Sequence, residues 1–188
     1  MKYKTQNIVY GNRGMTLEYL INSSNEYYRL IDKAIVYKKP TPITVSRVNF
    51  KSRFEARIEE AYYKTPSTTD YNGVYKGKYI DFEAKETQSS TSFPLSNIHK
   101  HQIEHLKNIT RHGGIAFIIV YFKTINKIFY LESSKLIDFI EKNDRKSIPY
   151  SYFEKEGYLI KERINPFIDY LSIIDMLYFK ENWYERCN

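Results

Sequence analysis

Asp70, Glu83 and Lys85 are of the types that hold a cation and offset negative charge on a reacting phosphate, and their spacing suits a β-hairpin. A two-residue turn at Lys76-Gly77 sets Tyr75 against Lys78. Carried along both strands, this register places Thr68 opposite Lys85, Asp70 opposite Glu83 and Asn72 opposite Asp81, all on one face. The other face pairs Tyr71 with Phe82, Gly73 with Ile80 and Thr69 with Ala84, as a strand pair resting on a core requires. Directly opposed Cβ atoms are roughly 5 Å apart, so Asp70 and Glu83 repel unless something compensates. A divalent cation does so: hard Mg²⁺ takes carboxylate, hydroxyl, carbonyl and water oxygens and binds phosphate oxygens at its open positions. Lys85 adds a fixed positive charge on the same face. The chemistry this points to is phosphodiester cleavage. The plain alternative is a surface hairpin with ordinary charged residues. Asn72-Gly73 is a competing turn that would break the Asp70/Glu83 pairing and leave Asp81, Glu83 and Lys85 beyond the paired region.

The elements that must position these residues follow from periodicity. Gly14 to Leu30 carries apolar residues at helical spacing, with Asn22-Ser23-Ser24-Asn25 as a point where it could bend. Arg13 precedes it between Asn12 and Gly14, where a flexible backbone can present a guanidinium to phosphate. Lys33 to Lys39 reads as a strand, interrupted by Pro40 and Pro42. From Lys38 to Arg57 six basic residues (Lys38, Lys39, Arg47, Lys51, Arg53, Arg57) face one acid, Glu55, with Phe50, Phe54, Tyr62 and Tyr63 nearby for base stacking. A solvated charged face is the bland reading of that segment. Glu86 to Ser96 reads as a loop, and Asn97 to His112 as a helix capped by Gly113-Gly114. Ile98, Gln102, Leu106 and Ile109 make one stripe of that helix, in which Gln102 is either a satisfied core amide or an oxygen donor at the cation.

The same helix offers a rival chemistry. His101-Gln102-Ile103-Glu104-His105 fits the H-x-x-E-H pattern of inverted zinc proteases, with Glu181 or Glu185 as a third ligand, although that reading leaves the hairpin carboxylates unexplained. Further on, Gly114 to Phe122 is a buried strand, Lys127 to Glu132 its return, Ser134 to Lys142 a helix, Ser147 to Gly157 a short helix near Pro149, Tyr158 to Ile160 an edge strand, and Pro166 to Phe179 a final helix.

A chain of 188 residues suits one domain without repeat or linker. With 29 Lys and Arg against 22 Asp and Glu, the formal charge of +7 favours polyanionic partners. The one cysteine, Cys187, excludes an intrachain disulfide or a cysteine-based zinc site and fits a reducing cytoplasm. The N-terminus has no apolar signal core, and the longest apolar run, Ile115 to Phe122, is far too short to span a bilayer, so no membrane association is expected.

Asp70, twelve intervening residues, and then Glu83-Ala84-Lys85 resembles the D…(D/E)-x-K signature of restriction-endonuclease-like nucleases. Longer strings narrow this: Thr68 to Gly77, Asp81 to Thr87, Asn12-Arg13-Gly14, Lys38 to Pro42, Thr91 to Leu95, His101 to His105 and His112 to Gly114 resemble the RecU family of Holliday-junction resolvases over most of the chain. The resemblance implies a single α/β nuclease domain spanning 1–188, with a restriction-endonuclease-like mixed central sheet flanked by helices. A basic stalk would project from it at about 43–66. It implies a Mg²⁺-dependent endonuclease, with Mn²⁺ as a substitute, that cuts four-way-junction DNA by paired symmetric nicks in recombination and repair. Thr68, Asp70, Glu83 and Gln102 would be metal-site residues, Lys85 the transition-state stabiliser, Arg13, Lys38, Lys39, Arg53 and Arg57 DNA contacts, and Glu18 an accessory acid that is otherwise a solvated helix residue. It further implies a homodimer and an interaction with the RecA recombinase. The alternative from another class is a non-catalytic DNA-binding or RecA-modulating protein.

Overall fold

Two turn signals compete in the central hairpin, and backbone sterics decide between them. Lys76 and Gly77 take φ of 47° and 75°, the left-handed pair that a tight hairpin turn requires. Tyr71–Tyr75 (β4) and Lys78–Thr87 (β5) then pair in the register Tyr75 with Lys78 through Tyr71 with Phe82, as expected. Gly73 serves a different purpose from a turn. It pairs with Val36 of β1 (Ile35–Lys38), where an added Cβ would lie 2.1 Å from the Ile35 carbonyl oxygen and 2.7 Å from Val36 Cα. Backbone atoms cannot yield as a side-chain tip can, so Gly73→Ala is expected to cost about 2–4 kcal/mol, read as a fall in Tm on the order of 10 °C. An unchanged Tm would show that β1 can move away.

The computed structural model describes residues 16–49, 56–63 and 68–179. A six-stranded mixed sheet has the order β1-β4-β5-β7-β8-β10, with Ile115–Phe122 (β7), Lys127–Glu132 (β8) and Tyr158–Leu159 (β10) completing it. All pairs are antiparallel except β5 and β7, which run parallel with Glu83 beside Ile118. Parallel neighbours need a crossover, supplied by the helix Lys100–Arg111 (α2).

Leu17–Leu30 (α1) is unbroken. Ser24 folds its hydroxyl back to the Leu20 carbonyl and Asn25 accepts from the Tyr170 hydroxyl, so the polar run stays helical. With Tyr170–Tyr178 (α5), α1 covers one sheet face through Leu20, Ile21, Tyr28, Leu171 and Ile174. The final helix therefore starts at Tyr170 and not at Pro166: Asp169 caps it by accepting from Ser172 N, and Glu162 to Ile168 form a bridged loop before it. On the opposite face lie α2, Ser133–Lys142 (α3) and Tyr150–Glu156 (α4), packed around Ile118, Val120, Phe122, Phe129 and Leu136. Across the sheet Tyr71, Phe82, Phe117 and Tyr130 stack in sequence, their centroids 4.9, 4.6 and 4.3 Å apart. Each such pair contributes about 0.5–1.5 kcal/mol beyond burial and keeps four strands aligned.

The stretch expected as a loop after Lys85 is partly ordered pairing. β5 runs on to Thr87, and Ser92–Pro94 (β6) pairs with Ser147–Pro149 (β9). Ile43–Asn49 (β2) and Arg57–Tyr63 (β3) form a separate two-stranded ribbon, with Val48 alone half-buried among its described side chains. A ribbon that buries so little adds almost nothing to the core. No helix among the described residues is long and apolar enough to cross a membrane.

Candidate metal and nucleic-acid site

β5 alternates, and its two faces differ in kind. Ile80, Phe82 and Ala84 join the α1/α5 core, while Asp81, Glu83 and Lys85 point with Ala116, Ile118 and Val120 toward α2. Two acidic side chains thus lie fully buried under a helix, and each has collected partners. Glu83 Oε1 accepts from Gln102 Nε2 at 2.7 Å and faces Lys85 Nζ at 2.6 Å. Its other oxygen, Oε2, is buried without a hydrogen-bond partner.

The hairpin ladder stops earlier than the sequence register implies. Beyond Tyr71 the chain bends at Thr68 and Asp70 and leaves β5, so Thr68 does not pair with Lys85. Toward β5, Asp70 is held by its side chain: its Oδ2 accepts the Ala84 N–H at 3.1 Å. Thr69, expected beside Ala84, turns instead to the Asp81 carboxylate, which it reaches with its hydroxyl. The cause is Lys39. Its ammonium draws on Thr68 Oγ1 at 3.1 Å, Thr69 Oγ1 at 2.5 Å and Asp81 Oδ2 at 2.7 Å, while its backbone N–H donates to the Asp70 carbonyl at 2.8 Å.

Burial, and next the negative charge of Asp70, push the Glu83 carboxyl up to about 7, against the opposing pull of Lys85. The metal-free fold therefore holds that proton more tightly than the unfolded chain, whose carboxyl titrates near 4.5. The associated stability is fully present below pH 4.5 and is lost as pH rises through 7, about 3 kcal/mol in all. Melts in EDTA from pH 5 to 8 should show this decline, and Glu83→Gln should flatten it. A decline that survives the substitution would assign it to another group.

A hard cation fits the pair. The orphaned Oε2, the oxygen-only donor set and the raised carboxyl pKa are what two crowded carboxylates show when their shared charge is uncompensated. Among the described residues no group of three or more His, Cys, Asp or Glu side chains could hold a metal, so further ligands would be neutral oxygens. The sequence-expected candidates for that role are otherwise engaged. Gln102 gives its oxygen to the His99 N–H at 3.0 Å, capping α2, and offers its nitrogen to Glu83; Thr68 accepts from Lys39. Both ends of the Gln102 amide are thus engaged, its nitrogen on Glu83.

An open cleft of about 320 Å³ reaches Asp70 from outside, lined by Thr16, Leu17, Glu18, Lys38, Tyr71, Ala84 and Glu86 as well. Glu18 thus shares a cleft with Asp70, while its own carboxylate binds Lys38 at 2.6 Å. Glu86, overlooked in the sequence, accepts the Leu17 N–H at 2.6 Å and fixes the start of α1 against the cleft.

Of the expected DNA contacts, Arg13 and Arg53 lie outside the described residues, as does Lys51 of the basic segment. Lys38 sits on the cleft rim and Arg57 is exposed on the ribbon. Lys39 departs from expectation: it is 15 % exposed and bound to a buried aspartate. Across the ribbon, Glu60 lies 3.6 Å from Arg47 and Glu59 accepts from Asn49, so the charge bias of Lys38 to Arg57 is partly offset by the strand it pairs with.

The zinc arrangement does not assemble. His105 Nε2 lies 3.3 Å from Asp81 Oδ2, whereas His101 is exposed and stacked on His99 at 5.4 Å, Glu104 is exposed, and Glu181 and Glu185 are outside the described residues. Asp81 and His105 stand beside Glu83 and Gln102, although the nuclease signature did not single them out and the sequence offered His105 only as a zinc ligand. The available signal was spacing: Asp81 shares a strand face with Glu83, and His105 lies three residues, under one turn, beyond Gln102.

The chain has relatives. A Holliday junction resolvase RecU from Geobacillus sp. (strain WCH70) is 53% identical over 173 residues, covering 90% of this chain and 86% of that one. One from Bacillus cytotoxicus is 51% identical over 181 residues, 95% and 90% of the two chains. One from Pediococcus pentosaceus is 51% identical over 172 residues, 90% and 86%. Among solved structures, Hjc, a Holliday junction resolvase from Archaeoglobus fulgidus, overlays 72% of this chain and 93% of its own at 12% identity and a TM-score of 0.41. The family model of Recombination protein U, RecU, matches residues 12–176, and with relatives this similar over nine tenths of its length the chain belongs to the RecU family.

Proposed function

We propose that this chain is a cytoplasmic, Mg²⁺-dependent endonuclease, with Mn²⁺ as a substitute, that resolves Holliday junctions by paired nicks as a homodimer. The observation that carries the reading is a buried carboxylate, Glu83, set between a second acid and the ammonium of Lys85, with one oxygen left unbonded. The relatives named for this activity support the substrate. When bound, Mg²⁺ neutralises phosphate charge and activates water at neutral pH. Asp70 and Glu83 would hold it. Thr68 and Gln102 would complete the shell only after exchanging present partners, Lys39 for Thr68 and the His99 cap for Gln102. Lys85 is half-buried beside Glu83, where its charge is screened little by solvent and is worth most against a phosphate gaining negative charge. Lys38 on the rim, Arg57 on the ribbon, and Arg13 and Arg53 would grip the backbone, with Glu18 as an accessory acid and RecA as a further partner. Two symmetric nicks in a four-way junction need two sites related by a two-fold axis, which a homodimer supplies.

Incubation with a labelled four-way junction, with and without Mg²⁺ and beside linear duplex, tests this. Paired nicks near the branch should appear only with the metal. Tight junction binding with no nicking in Mg²⁺ or Mn²⁺ would favour a non-catalytic, recombinase-modulating protein.

A further inference from the structure

We infer that Lys39 is a positioning residue of the metal site, clamped by the buried carboxylate of Asp81, and not a contact to DNA. The inference rests on reading Asp70 and Glu83 as that site. Asp70 stands one residue before the first residue of β4 paired with β5, so on that side only its carboxylate's bond to the Ala84 N–H fixes it. What holds its segment is one side chain and one backbone group from the end of β1. The Lys39 ammonium spans the hydroxyls of Thr68 and Thr69, and the Lys39 N–H holds the Asp70 carbonyl. The ammonium is itself fixed. Asp81 is fully buried, lies 2.7 Å away, and is tied by hydrogen bonds to Thr69 and to the Tyr79 hydroxyl at 2.9 Å, with His105 of α2 at 3.3 Å. Asp81 and Glu83 project from the same face of β5, so one strand locates both carboxylates, and Gln102 of α2 bonds Glu83. A lysine at 15 % exposure with three oxygen partners has little left for phosphate.

The distinction is measurable in the full-length protein, because a positioning residue acts on metal affinity and a phosphate contact acts on DNA affinity. Lys39→Met alone strands Asp81 as an unpaired buried charge, so Lys39→Met/Asp81→Asn, which removes both charges together, is compared beside it. Mn²⁺ binding, followed without DNA by electron paramagnetic resonance of the free ion, is expected to weaken about 10- to 100-fold, the usual loss when a group supporting a ligand is removed. Junction affinity in Ca²⁺, and its dependence on salt, should stay at the wild-type values. Lys39→Arg, which cannot fit its fork between two hydroxyls and a carboxylate, should bind Mn²⁺ no better than the double variant although it keeps the charge. Wild-type Mn²⁺ affinity in the double variant would overturn the inference. So would a junction affinity lowered with a salt slope reduced by about one, the mark of a cation that had been neutralising a phosphate. Failure of both variants to fold would overturn it too, by making the pair a support of the whole fold and not of one segment. The parent reading fails separately: wild-type protein whose Mn²⁺ binding is unaffected by Asp70→Asn has no metal site there to position.

Discussion

Asp70→Asn is expected to reduce nicking of a four-way junction by about 10³-fold or more, a loss of some 4 kcal/mol of transition-state stabilisation, while leaving junction affinity within a few-fold of wild type. The asparagine keeps an oxygen for the Ala84 N–H, so the local backbone is retained. It removes the second-largest influence lifting the Glu83 carboxyl, so that group should titrate lower and the metal-free protein should melt at the same temperature or higher. Loss of activity with no loss of stability separates a charge needed for chemistry from one needed for folding. Undiminished cleavage by the folded variant would remove Asp70 from the site.

Excision of Ser46 to Glu60, closed by a short Gly-Ser turn, is expected to lower the preference for four-way junctions over linear duplex by about tenfold or more while Mn²⁺ binding survives. The ribbon invites this cut. Its pairing is irregular between Val45 and Arg47, and the pairs Ile43 with Tyr63, Thr44 with Tyr62 and Val45 with Ala61 remain to hold the stump. The residues removed are almost all exposed where described, so the core loses little. A milder version neutralises Arg53 and Arg57, which should flatten the salt dependence by about one unit of slope for each phosphate that goes unneutralised. Glu59 and Glu60 already offset part of the ribbon's charge, so reversing them to Lys should strengthen binding to junction and duplex alike. Gel shifts at two salt concentrations, with Ca²⁺ replacing Mg²⁺, read all three. A folded, excised protein with its full junction preference would place branch reading elsewhere.

What the sequence made legible was local. The Lys76-Gly77 turn, the register from Tyr75 with Lys78 to Tyr71 with Phe82, the alternation of β5 and the stripe of α2 depend on near neighbours and on periods of two and 3.6, which survive in a linear string. What it hid was decided by residues distant in the chain. Lys39, 42 positions before Asp81, meets Thr68 and Thr69 and pairs with that aspartate just where the hairpin ladder ends. The spacing of Gln102 matched a ligand and a core amide equally well, and the string could not show that its amide meets both His99 and Glu83. Gly73 looked like a turn residue because a turn and a close backbone approach both select glycine. Ser92–Pro94 and Ser147–Pro149 are three-residue strands, too short for any period to register.

The uniform burial of β7 has an implication for how the chain reaches this arrangement. Eight consecutive apolar residues, Ile115 to Phe122, would satisfy a neighbour shifted by one position as readily as the observed one. Nothing in β7 chooses. The choice falls to β5, where a one-residue shift would drive Asp81, Glu83 and Lys85 into the core beside Tyr71 and Phe117 and take Phe82 out of it, at a cost of several kcal/mol for each unpaired charge. The three charged residues of β5 thus also act as the error check of assembly. Replacing all three with apolar residues should yield a protein that folds into more than one strand alignment, visible as heterogeneous amide spectra, and not merely one that is inactive.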